Sequence, residues 1–164
     1  MQDGFFHDFL LLALAVLLLV AACTDIRRRQ IDNWLNIAIV AGAPVFWWAS
    51  GLDLWPGVAI QIGMATGVFL VLAVLFAIGA MGGGDVKLLA ALALWLEPDW
   101  FLRMLLIMAL VGGMLTIVMA GWHVIRRQRG KLAIPYGVAI AAAGISILGI
   151  QYLSDNPIRS SLLG

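Results

Sequence analysis

Five stretches of the chain run without a single Asp, Glu, Lys or Arg: residues 9–24, 34–52, 54–84, 104–122 and 132–154. Each is near or above the roughly 17–20 apolar residues that a helix needs to cross a bilayer. A sixth run, residues 88–96, has the same character at a fraction of the length. At about 1.5 Å per residue it covers only about 13 Å, against a hydrocarbon core of about 30 Å. The pattern predicts an all-α, polytopic membrane protein, a single integral-membrane domain over residues 1–164. It has six transmembrane helices, of which the short one is the fourth.

Composition agrees. The 164 residues are 63% hydrophobic and 12% charged, and a water-soluble domain of this size carries more charge. A net charge of +1 implies no nucleic-acid partner. One cysteine, Cys23, allows neither an internal disulfide nor a zinc cluster. Residues 19–23, LVAAC, resemble the cleavage box of a lipoprotein signal. The preceding segment carries Asp3 and Asp8 and no Lys or Arg, whereas a signal peptide starts positive. The expectation is a retained first helix.

Charge sets the expected topology. With six spans, Arg27, Arg28, Arg29, Lys87, Arg126, Arg127, Arg129 and Lys131 share one side, and Arg103 and Arg159 the other. The positive-inside rule makes the first side cytoplasmic and puts both termini on the outer side. Trp47, Trp48, Trp55, Trp95 and Trp100 then form an outer interfacial belt, and Trp34 and Trp122 an inner one. Among the acidic residues only Asp25, Asp32 and Asp85 fall inside.

Asp85 follows Gly82, Gly83 and Gly84 and opens the short fourth run. If that helix crosses, Asp85 is drawn below the headgroups or stands at the floor of a watery cavity, with the end of the long third run bent back into the membrane. The glycines permit a tight turn with positive φ and the close approach of another backbone, such as an extended peptide. An ionisable group at such depth is a functional candidate. The plainer alternative is an interfacial turn in which Asp85 caps the fourth helix and Lys87 reaches to the surface.

A second carboxylate changes the balance. Asp25 lies where the first helix meets the cytoplasm, in CTDIRRRQIDNWLN, residues 23–36. Asp32 and Asn33 are candidate caps of the second helix, and Arg27–Arg29 read as ordinary inner anchors. Two aspartates at one depth suggest a pair that shares a proton: one takes a proton from water while the other polarises a carbonyl. Such a pair hydrolyses a peptide bond without metal or cofactor, and none is expected here.

TDIRRRQIDN, MGGGDVKLLAAL and the later IPYG, residues 134–137, resemble the signatures of bacterial type IV prepilin peptidases, above all the short form associated with tight-adherence (Flp) pili. The likeness extends over nearly the whole chain in motif order, spacing and helix count. It implies a membrane aspartic endopeptidase of the Gly-x-Gly-Asp type, with Asp25 and Asp85 as the catalytic pair. Gly82 and Gly84 match the motif's glycines, with Gly83 between them, and Lys87 its following basic residue. The implied substrate is a prepilin with a short basic leader, cut on the cytoplasmic side before an apolar helix. Pilus or secretion assembly proteins are possible partners. Two features depart from the family pattern. Asp32 stands where the family usually has proline, and the loop after the first helix is too short for the cysteine-bearing insertion of the longer, methylating members. Peptidase activity is therefore expected without methyl transfer.

Two rival readings remain open. A small transporter or pilus-assembly subunit would use Asp85 to line an ion path. A presenilin-like protease would share the Gly-x-Gly-Asp feature but normally holds its first aspartate mid-helix after tyrosine, whereas Asp25 follows Thr24 at a helix end. Pro135-Tyr136-Gly137 reads as a helix start. Gly63, Gly67 and Gly112-Gly113 read as helix-packing positions. His7 and His123 have no second histidine nearby to make a metal site.

Overall fold

The computed structural model describes residues 2–125 and 135–155. Six α-helices follow one another: α1 (Gln2–Arg28), α2 (Asn33–Ala49), α3 (Ala59–Ala77), α4 (Gly83–Leu92), α5 (Pro98–Ile125) and α6 (Tyr136–Asp155). No strand occurs among the described residues. Among the described residues four segments are long and apolar enough to cross a membrane: Phe5–Arg28, Leu54–Ala77, Pro98–His123 and Tyr136–Ser154. α2, with 17 residues, sits at the lower limit of a spanning length, and α4, with 10, falls well below it. The basic cluster Arg126, Arg127, Arg129 and Lys131, together with Arg159, lies outside the described residues.

The short helix is the most enclosed element. α4 packs against α3, α2 and α6, and Val86, Leu88, Leu89, Ala91 and Leu92 are all buried. The burial continues through Ala93, Trp95 and Leu96. A helix wrapped by other helices meets protein rather than lipid, so it need not match the bilayer thickness. Its C-terminal turn leaves backbone carbonyls that must be satisfied inside the protein. The Trp47 indole N–H donates to the Leu94 carbonyl at 2.8 Å. Trp95 in turn donates to the Ile39 carbonyl in α2 at 2.8 Å and stacks on Phe46 at 4.8 Å. Trp95 is therefore a core residue rather than part of an interfacial belt. Trp48, Trp55, Trp34 and Trp122 are exposed.

The remaining helices show apolar surface outward. α3 buries only Gln61 and Ala65, and Leu70, Val71 and Val74 are open, as suits lipid contact. α1 packs mainly on α6 and α2, and α5 on α6. The glycines that allow close packing differ from those expected. A Cβ on Gly42 would lie 2.7 Å from the Trp95 ring, and one on Gly144 would lie 2.9 Å from Leu18. Gly112 faces Ala139 and Tyr136, whereas Gly63, Gly67 and Gly113 face open space.

Tyr136, at the start of α6, lies beside Gly112, near the middle of α5. Residues 113–125 continue past that level for about 20 Å of helix. Exposed Met114, Ile117, Val118, Trp122 and Ile125 line this overhang. The end of the bundle at which α1 stops and α4 starts is thus recessed relative to α5.

Candidate active site

Four chain segments build the recessed end. α1 ends in an αL cap: Arg29 has φ 52°, and its N–H donates to the Asp25 carbonyl at 2.8 Å. A non-glycine residue in that region carries some strain, and it reverses the chain directly after Asp25. The loop of residues 29–32 then turns inward and tucks Ile31 into the core. α3 ends in a Schellman motif around Gly79 (φ 73°), with Ala80 N–H donating to the Leu75 carbonyl at 2.9 Å. Residues 80–82 lead from it into α4.

The positive φ expected of the glycine triplet is carried by Gly79. Gly82 is extended (φ −74°, ψ 141°) and is the N-cap residue of α4, while Gly83 and Gly84 already belong to the helix. The triplet is needed for space. A Cβ on Gly84 would lie 3.1 Å from the Ile31 Cβ and 3.4 Å from its backbone nitrogen, so the loop after α1 rests directly on the first turn of α4. A Cβ on Gly83 would come 3.1 Å from the Phe76 ring, and one on Gly82 would come 2.9 Å from Asp85 Oδ2. The Asp85 carboxylate thus folds back over Gly82.

This close approach brings the two aspartates together. A polar cavity of about 330 Å³ is lined by Asp25 and Asp85, by the loop residues Arg29 to Asn33, and by Gly82, Gly83 and Gly84. Asp85 lies outside the four long spanning segments. Its pKa is raised from 3.8 to about 6, first by burial and second by the charge of Asp25. The electrostatic influence of one carboxylate on the other is what a shared-proton pair requires.

Asp25 is 6% exposed, and the first turn of α6 presses on it. The backbone N–H groups of Gly137 and Val138 lie near its carboxylate, the latter donating to the Pro135 carbonyl at 3.2 Å, and Oδ2 is buried without a hydrogen-bond partner. A Cβ on Gly137 would stand 2.8 Å from that Oδ2 and 3.0 Å from Cγ. The helix N-terminus can reach the acid only because residue 137 has no side chain. Of the IPYG stretch, Ile134 lies outside the described residues, and Pro135-Tyr136 opens α6 as expected. In the sequence Gly137 read only as part of a helix start and of the family-like IPYG stretch; its contact with Asp25 was not expected.

The capping roles largely fall away. Asp32 occupies the N-cap position of α2 but makes no side-chain cap bond, and it lines the polar cavity instead. Asn33 accepts a hydrogen bond from Lys87 Nζ at 2.9 Å, so Lys87 ties α4 to α2 rather than reaching free to the surface. Asp85 does not cap α4 by hydrogen bonding. Among the described residues no group of three His, Cys, Asp or Glu is arranged to hold a metal ion.

No curated protein and no solved structure gives a significant match. A model of the type IV leader peptidase family, whose members are aspartic-type proteases, matches residues 12–117. The matched segment contains Asp25, the glycine triplet, Asp85 and Lys87, and ends before Gly137. It covers well over half of the 164 residues, and the chain belongs to the type IV leader peptidase family.

Proposed function

We propose that this membrane protease removes the leader of Flp-type prepilins at the cytoplasmic face of a bacterial inner membrane, with Asp25 and Asp85 as its catalytic pair. The observation that carries the reading is that both carboxylates line one polar cavity, with the side-chain-free glycines 82–84 along one wall. The pair holds one proton. The ionised carboxylate takes a proton from a water, which attacks the scissile carbonyl carbon. The protonated one donates to the carbonyl oxygen. The carboxyl that took the water's proton then passes it to the departing nitrogen as the C–N bond breaks, and a hydroxyl of the tetrahedral intermediate returns its proton to the other carboxylate, which regenerates the singly protonated pair.

In this reading six helices cross, both termini lie outside, and the enclosed run 88–96 completes the fourth crossing with Asp85 ahead of it. The recess beside α5 suits a precursor whose cut lies at the start of a membrane helix. The four residues between α1 and α2 leave no room for a methyl-transfer insertion, so the new N-terminus is left unmethylated.

The test is co-expression with candidate Flp-type prepilins and mass spectrometry of the mature N-terminus. The native enzyme should yield a product cut after glycine. Asp25→Asn and Asp85→Asn, at normal membrane levels, should leave the precursor whole. Full processing by either variant would refute the pair.

A further inference from the structure

A second, larger hollow lies beside the polar cavity. It has a volume of about 740 Å³, is walled by α2, α3 and α4, and is lined mainly by apolar side chains such as Ile37, Val40, Ile62 and Phe69. Asn33 lines both hollows, and its bond to Lys87 marks the passage between them. One residue is out of character. Asn36, one turn further into the groove, is 5% exposed, and neither its Oδ1 nor its Nδ2 has a hydrogen-bond partner. A buried carboxamide left unpaired is costly. In a groove facing lipid, neither acyl chains nor bulk water would satisfy it.

We infer that this groove seats the apolar helix of the precursor just beyond the cut, and that Asn36 pairs with a hydrogen-bonding side chain in the first two turns of that helix. The inference rests on the peptidase reading above. Three features fix the occupant. The groove opens on the cavity that holds both aspartates. Its walls are apolar, as a membrane helix needs. Its volume accommodates about two turns of a helix about 10 Å across. α2 starts at the site end, so a precursor helix leaving the site would run alongside it, and a side chain one turn along would meet Asn36. Because the carboxamide has an unpaired donor and an unpaired acceptor, its partner is a group offering both, such as a hydroxyl, an amide or a protonated acid. Asn36 would thus select among membrane helices that otherwise look alike.

Two measurements test this on a Flp-type prepilin in its own membrane. The first is a cycle between Asn36→Leu and replacement by Leu of each polar residue in the first two turns of the precursor helix. Leu fills a similar volume and removes both unpaired atoms, so the fold is kept. One precursor replacement should lower kcat/KM about tenfold with the native enzyme, through KM, and have no further effect with Asn36→Leu. Asn36→Leu processing every precursor at the native rate overturns the inference. The second is photo-crosslinking in the Asp85→Asn background from Ile62→benzoylphenylalanine, with Leu110→benzoylphenylalanine on exposed α5 as control. Crosslinks to precursor from position 62 and not 110 support the groove. Crosslinks to lipid alone, or equal crosslinks from both positions, overturn it. If the precursor crosslinks at 62 but the native enzyme never cuts it, the peptidase reading fails and the groove stands. If the precursor is cut without crosslinking at 62, the groove alone fails.

Discussion

The two aspartates are held in opposite ways. Asp25 ends a long spanning helix and is fixed by what touches it: the first turn of α6 on one side and the αL reversal at Arg29 on the other. Asp85 starts a short enclosed helix and is positioned by what is missing. Side chains absent at Gly82 and Gly84 let its carboxylate fold back and let the loop after α1 come down on α4. One acid depends on a distant segment and the other on its own three predecessors. Disturbances of the two should therefore differ in kind, although both meet in one cavity.

Loss of either carboxylate erases the difference and gives the largest effect. If the pair works as a unit, Asp25→Asn, Asp85→Asn and the double variant should each lower processing by about 10³-fold or more, with the double no worse than the singles. A double variant markedly worse than either single would mean two independent contributions. Next comes Gly137. Its missing Cβ would already stand 2.8 Å from Asp25 Oδ2, so Gly137→Val must move α6 or turn the carboxylate away. Processing should fall about 100-fold, and Gly137→Ala should fall less, because 1 Å of misplacement costs rates of this order. Native processing by Gly137→Val would show that the contact with α6 does not govern Asp25.

This asymmetry also explains what the sequence could reveal. Asp25, Asp85 and the glycine triplet stood out because charge is rare in apolar runs and because the two acids fell on one predicted side. The six helices followed from the same runs. The wrapping of α4 did not, because lipid and protein interior are equally apolar, so residues 88–96 read alike whether they face one or the other. Trp95 looked like a belt residue for the same reason. Of the two purposes expected of the glycines, the positive φ sits instead at Gly79, outside the motif, while the close approach of another backbone is found at Gly84, against Ile31. The contact between Gly137 and Asp25 joins segments far apart in the chain, and no local pattern encodes it. Asn36 was one polar residue in an apolar run, and only packing shows that its amide is left unpaired.

The electrostatic side of the comparison is open to titration. Burial and the charge of Asp25 raise Asp85 to about 6, so the folded protein holds a proton there that the unfolded chain releases near 3.8. Stability in detergent should therefore fall as pH rises from about 4 to about 6 and level off above, and Asp85→Asn should flatten that slope. Activity has its own limb. If the singly protonated pair is the working form, kcat/KM should decline above about pH 6, approaching tenfold per unit. A rate that keeps climbing to pH 8 would mean that the doubly ionised pair is competent and that no proton is shared.

The smallest effect should come from Lys87, which lines the larger hollow and reaches the polar cavity only through its bond to Asn33. Its ammonium donates to Asn33 Oδ1 at 2.9 Å in an exposed setting, where water competes and such a bond contributes little. Lys87→Met keeps the stem along α4 and removes the donor. It should cost about threefold in kcat/KM, and Lys87→Arg should recover most of it. The size of the loss separates two roles. A tie between α2 and α4 is restored by any donor that reaches Asn33, and its removal shifts both acids slightly. A cation acting on the scissile carbonyl would not tolerate the new geometry, and its loss would approach that of Asp85→Asn. A severe loss in Lys87→Met that Lys87→Arg fails to repair would therefore move Lys87 from the frame of the site into its chemistry.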